Sequence, residues 1–289
     1  MLAARAIHHH PVRHQNTHQS PDHTDTSPTT QPSLYPQFLL FGDSITQASS
    51  PQDEFGFAAP LQQAYARKLD VINRGLNGYN TIKALRVFPR LMPTPEEANV
   101  RLMTVFFGAN DASIPNSTNG QHVPLDAYTA NLKTICTSEL VKAHSPRLVL
   151  ITPPPVNEYK IEPADVAKGH NGCQRTAENT KKYANAARKA GEELGIPVLD
   201  LWTIFMTRAG WVAGEPLPGC KDVPRNQFID EILYDGLHMT GRAYAIIHEE
   251  LASLIAEAYP EAVPEKLPLV LPDWKDEGGW AEFERAGRA

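Results

Sequence analysis

The 289-residue chain is 42% hydrophobic and carries a formal net charge of -6 at pH 7. That length and apolar content suffice for the core of one α/β domain of about 200–250 residues, with polypeptide left over. The acidic balance and the lack of a dominant basic run argue against a nucleic-acid or anionic-membrane partner. No apolar run reaches the ~18 residues of a spanning helix. Cys136, Cys173 and Cys220 are too few and too scattered for a disulfide framework or a zinc site.

Residues 1–36 are rich in His, Pro, Thr, Ser and Gln and nearly free of aliphatic side chains after Ile7. Such a segment cannot offset its ordering entropy by burial, so a disordered tail is expected. Its cluster His8-His9-His10 reads as part of that polar tail, with no dedicated ligand role. The apolar opening is too short for the core of a secretory signal. Arg5 and Arg13 precede the first acid, Asp22, which gives a faint mitochondrial-presequence character; the expected compartment is the cytoplasm.

From residue 37 short apolar runs alternate with helical periodicity. Strands are predicted over 38–41, 71–74, 101–107, 147–152 and 197–201, each apolar enough to be covered on both faces. Helices are predicted over about 57–69, 81–91, 125–143, 176–194 and 241–258, the last with Thr240 as N-cap. Cys136 shares a helical face with Leu132, Ile135 and Leu140 and reads as a core thiol. The stretches 153–175 and 207–234 read as irregular, Pro- and Gly-rich loops on the strand-end side, placed to shape a pocket. Residues 260–289 read as an extended arm packing through Leu267, Leu269, Val270, Leu271 and Trp274. The domain reading is therefore a tail over 1–36, a catalytic body over 37–259 and the arm. Strands alternating with helices imply a parallel, doubly wound sheet, which binds ligands at the carboxyl ends of its strands.

The chemistry concentrates at those ends. Phe38–Phe41 breaks into Gly42-Asp43-Ser44, a tight turn with a serine at its tip. Serine is a weak nucleophile until a base takes its proton. Asp235-Gly236-Leu237-His238 supplies a base and a carboxylate to orient it, about one helical turn apart. An Asp and a His so spaced ahead of a helix are also an ordinary surface pair; the Gly-Asp-Ser at a strand end tips the reading toward a triad. Oxyanion donors are available in the loop around Gly78 and in Gly108-Ala109-Asn110-Asp111, although each segment alone is also common turn chemistry.

These blocks, in this order, resemble the SGNH hydrolases of the GDSL lipase/esterase family, over about residues 37–258. Within it the chain is similar to the isoamyl acetate-hydrolysing esterase branch through Phe41–Thr46, Asn73-Arg74-Gly75, Gly78–Thr81, Ile151–Val156 and Val198–Thr203. The resemblance implies a three-layer α/β/α fold on a five-stranded, flavodoxin-like sheet. It implies Ser44 as nucleophile, His238 as general base and acid, and Asp235 as its orienting carboxylate. The Ser44 and Gly78 N–H groups and the Asn110 side chain would form the oxyanion hole. No metal or cofactor is implied, and the Gly-x-Ser-x-Gly elbow of α/β-hydrolases is absent. The expected substrate is a small, fairly apolar ester, such as the acetate of a short alcohol, with a homodimer compatible. The same triad would also serve a carbohydrate deacetylase, a lysophospholipase or a thioesterase, and a non-catalytic binding protein is the reading outside enzymes. The stretch 207–234 looks longer than a minimal family member needs; if it covered the site, acyl-chain preference would not transfer from the branch.

Overall fold

The computed structural model describes residues 33–49 and 55–286. Residues 1–32, with the histidine cluster and the arginines of the presequence-like opening, lie outside the described residues. The last four residues of the expected tail, 33–36, are tied to the body: the Ser33 N–H donates to Glu97 O, and Pro36 O accepts from the Asp70 N–H.

Five parallel strands form one sheet, β1 (Gln37–Gly42), β2 (Asp70–Gly75), β3 (Val100–Phe106), β4 (Arg147–Ile151) and β5 (Val198–Leu199). Their order is β2-β1-β3-β4-β5, so the chain reverses direction at β1 and winds both ways from it. Alternate residues of β1 serve opposite faces. Phe38 and Leu40 enter a core with α2 (Ala58–Ala64), α8 (Leu201–Arg208), α9 (Gln227–Ile232) and α10 (Gly241–Ala258). Leu39 and Phe41 enter a second core with α3 (Thr81–Leu91), α4 (Leu125–Cys136) and α7 (Ala177–Leu194). The result is the expected three-layer α/β/α architecture.

Several boundaries differ from expectation for identifiable reasons. The helix predicted over 125–143 breaks into α4 and α5 (Glu139–His144). Thr137 bonds back to Lys133 O, and Ser138 Oγ accepts the Val141 N–H, so two hydroxyls end one helix and cap the next. β5 stops short of 201 because Asp200 caps α8, accepting the Thr203 N–H. The segment 153–175 is not wholly irregular: it holds α6 (Glu158–Ala167), started by Asn157 despite Pro163 inside it. Likewise α9 lies inside 207–234, capped by Asn226. Thr240 stands at the N-cap of α10, but its hydroxyl donates to Glu231 O instead of capping. Cys136 is buried in the second core, and all three cysteines are free.

The arm departs most. It contains a 3₁₀ turn (Pro264–Lys266) and a terminal helix, α11 (Glu277–Ala286), so it is not extended throughout. Leu267 is buried as expected, whereas Leu269 is exposed and Trp274 is 75% exposed. Its attachment is largely polar. The Val270 N–H donates to Arg67 O, and the Arg67 guanidinium reaches the carbonyls of Leu271 and Pro272.

The turn after β1 packs tightly on the end of β2. A Cβ at Gly75 would lie 1.9 Å from the Gln47 nitrogen and 2.4 Å from its Cα. Backbone cannot yield as a side chain does. Gly75→Ala should therefore lower unfolding stability by about 3 kcal/mol, the upper end for overpacking; denaturant titration with an unchanged midpoint would contradict this contact.

Candidate active site

Strand ends deliver Ser44, Gly78 and Asn110, and the loop between α9 and α10 delivers His238, to one cleft of about 330 Å³. Ser44 follows β1 as the first residue of α1 (Ser44–Gln47), capped by Asp43, whose Oδ1 accepts the Ile45 N–H at 2.9 Å. Gly78 follows β2 and Asn110 follows β3. Ser44, Gly78, Asn110 and His238 all line the cleft. Asn73 braces the Ser44 turn from β2, its amide donating to Thr46 O at 2.9 Å.

His238 Nε2 is 3.0 Å from Ser44 Oγ, and Nδ1 is 2.8 Å from Asp235 Oδ2. With Nδ1–H donating to the carboxylate, Nε2 carries the lone pair that accepts the Ser44 hydroxyl. The Asp and His lie ahead of α10, as expected. They sit in a loop closed by an antiparallel bridge between Leu233 and Met239. Asp235 Oδ1 accepts the Leu237 and His238 N–H groups at 3.0 and 2.7 Å, so the carboxylate folds its own loop and turns the imidazole toward itself. Gly236 has φ +91°, and a Cβ there would meet Asn157 O and the Ile161 nitrogen at 2.5 Å each. Its carbonyl accepts the Asn157 N–H, fixing the loop to the start of α6. Tyr234 stacks on the His238 ring, centroids 5.9 Å apart and planes 20° apart.

Burial opposes the charge of Asp235, but the His238 side chain and the loop N–H groups outweigh it and hold the carboxyl well below its usual range. Among the described residues, neither the Ser44 nor the Gly78 N–H has a protein acceptor. The Asn110 amide, 3% exposed, donates to Tyr79 O at 2.9 Å with one hydrogen and keeps another. Together these donors can stabilise charge developing beside Ser44 Oγ.

Sequence reasoning missed the rest of the cleft wall. Thr118, Asn119 and Gln121 come from the loop after β3, and Asp165, Lys168, His170 and Arg175 from the region of α6 and the approach to α7. The stretch 153–175 shapes the pocket as expected. No residue of 207–234 lines the cleft itself, and the stretch meets the site through Tyr234 against the His238 ring. Lone polar residues in loops carry no spacing signal that could have revealed this wall. Among the described residues no cluster of His, Cys, Asp and Glu is gathered to hold a metal, and no helix is long and apolar enough to cross a membrane.

Two buried carboxylates, Asp43 and Asp111, lie next to Ser44 and Asn110 in the chain. Burial, assisted by the charge of Asp111, pushes Asp43 up to about 7 against the pull of the Ile45 N–H. Burial likewise pushes Asp111 up to about 6, although its Oδ1 accepts both the N–H and the hydroxyl of Thr81. Between the ordinary 3.8 and these values the folded chain keeps protons that the unfolded chain releases. Stability therefore falls as pH rises through that window, and the loss is complete above about 7. Asp43→Asn keeps an acceptor for Ile45 without the ionisation. Its melting temperature should vary less than wild type between about pH 5 and about pH 8; parallel curves would mean that Asp43 is not the titrating group.

Comparison with known proteins shows the family of the chain. The profile of the GDSL-like Lipase/Acylhydrolase family matches residues 38–251. The Isoamyl acetate-hydrolyzing esterase 1 homolog of Mus musculus is 38% identical over 247 residues, covering 84% of this chain and 88% of that protein. The Isoamyl acetate-hydrolyzing esterase of Saccharomyces cerevisiae is 32% identical over 251 residues, covering 84% and 95%. The crystal structure of a lipase/acylhydrolase from Enterococcus faecalis superposes with a TM-score of 0.53 at 23% identity, covering 81% of this chain and 98% of that one. A strand-end serine in hydrogen-bonding reach of a carboxylate-held histidine, with this sequence kinship across most of the chain, places the protein in the GDSL-like lipase/acylhydrolase family of carboxylic ester hydrolases.

Proposed function

We propose that the chain hydrolyses small, fairly apolar carboxylic esters, with acetates of short alcohols as preferred substrates, through a Ser-His-Asp acyl-enzyme mechanism. The observation that carries this reading is the continuous chain Ser44 Oγ, His238 Nε2, His238 Nδ1, Asp235 Oδ2, with links of 3.0 and 2.8 Å. Ser44 attacks the ester carbonyl as its proton passes to Nε2. The carbonyl oxygen takes up negative charge facing the Ser44 and Gly78 N–H groups and the free N–H of Asn110. The imidazolium, balanced by Asp235, protonates the departing alkoxide and the alcohol leaves. Water enters, gives a proton to the same nitrogen and attacks the acyl-enzyme; collapse of the second tetrahedral species frees the acid and restores Ser44. The names of the mouse and yeast relatives support an acetate of a short branched alcohol as the substrate.

A second reading is favoured by the cleft wall. Asn77, Thr118, Asn119 and His170 surround the triad with hydrogen-bonding groups. Such a lining suits the hydroxyls of an acetylated sugar better than an alkyl chain. The body of residues 37–259 acts on this proposal as the catalytic unit, with the arm outside the cleft.

Turnover of isoamyl acetate, an acetylated xylose, a lysophospholipid and an acyl thioester by the purified full chain separates the readings. Isoamyl acetate should give the highest kcat/KM; an acetylated sugar turned over about tenfold better would establish the deacetylase instead. Ser44→Ala should abolish hydrolysis of every member of the panel. Asn110→Ala should lower kcat about 10²–10³-fold, and a kcat within a factor of about two of wild type would remove its amide from the oxyanion hole.

A further inference from the structure

Arg175 stands just ahead of α7, at the back of the cleft, and is only 4% exposed. Burying a guanidinium is costly unless its N–H groups find acceptors. Its acceptors here are a carbonyl and two side-chain amides. Nε donates to Ala109 O at 2.7 Å, and one terminal nitrogen donates to Asn110 Oδ1 at 2.9 Å and to Gln121 Oε1 at 2.5 Å.

Those contacts fix the orientation of both amides. Arg175 can only donate and Tyr79 O can only accept, so Asn110 must turn Oδ1 to the guanidinium and Nδ2 to Tyr79. One Nδ2 hydrogen is thereby used, and the other is left for the cleft that Asn110 lines. Gln121 is set by the same logic, with Oε1 on Arg175 and Nε2 donating to Gly78 O at 3.2 Å. One buried cation therefore reaches both loops that present oxyanion donors. A charged donor on the amide oxygen also polarises the amide and strengthens its remaining N–H as a donor.

We propose that Arg175 is a positioning residue of the oxyanion hole, aiming the Asn110 amide directly and, through Gln121, holding the carbonyl of Gly78 and so the loop that carries the Gly78 N–H. This rests on the serine-esterase reading above. Arg175 touches no reacting atom; it acts through Asn110 and Gly78.

The test is a double-mutant cycle on the full-length protein with two readouts. One is the rate at which a fluorophosphonate labels Ser44, which requires no knowledge of the natural ester. The other is kcat and KM for p-nitrophenyl acetate. Arg175→Lys should slow labelling and lower kcat about 10–100-fold, with KM within about twofold. In the Asn110→Ala background, where only the route through Gln121 remains, the same substitution should cost clearly less than in wild type, about fivefold. Equal losses in both backgrounds, or a loss confined to KM, would overturn the proposal. Gln121 is only half buried, so Gln121→Ala keeps the question open should Arg175→Lys fail to fold. It should lower kcat at least about fivefold with KM unchanged, and an unaltered kcat would overturn the proposal. Wild type that is not labelled at Ser44 would refute the esterase reading and this proposal together. Labelled wild type with additive losses would refute this proposal alone.

Discussion

The parallel pairing of β1 between β2 and β3 is the constraint on which the rest of the structure depends. Its register sets Gly42 beside Gly75 on one side and Phe106 on the other. Parallel strands deliver their carboxyl ends to a common edge. The residues that follow this row are the ones that carry Ser44, Gly78 and Asn110 into one cleft. A slip of one residue would exchange Phe38 and Leu40 with Leu39 and Phe41 between two separate cores. Hydrophobic burial thus fixes the register, and the register fixes the chemistry.

The site's electrostatics follow from how each carboxylate is solvated by protein in place of water. Asp235 is partly buried, yet an imidazole and two backbone N–H groups keep it ionised. Asp43 and Asp111 are fully buried with fewer compensating donors, and their acidity is weakened. The same side chain is tuned in opposite directions within one short region, by donor count against desolvation. Arg175 is the buried cation in this group, and Asp165 and Asp43 are the carboxylates that act on it most strongly.

Much of this was legible in the sequence because the signals were local. The apolar run Phe38–Phe41 ending in Gly42 announces a buried strand and a turn. Asp235 and His238 are legible as a pair because they lie three positions apart. The second layer around the site was not legible. Arg175 reaches Asn110 and Gln121 across the fold, and nothing in its neighbourhood in sequence marks it as buried. The helices α6 and α9 were hidden by prolines and by caps that act through a single Asn side chain. Spacing shows that Asp235 and His238 can face one way, but it does not distinguish a turn of helix from a bend closed by its own carboxylate.

That loop has a mechanical consequence. The Asp235 carboxylate makes three bonds within it, one to the imidazole and two to the Leu237 and His238 N–H groups, and the ends of the loop are zipped by the bridge at Leu233 and Met239. The pair is therefore a preassembled cartridge seated on α6 through Gly236 and Asn157. If the loop shifts, the imidazole and its carboxylate move together, and the distance that changes is the one from the ring to the Ser44 hydroxyl.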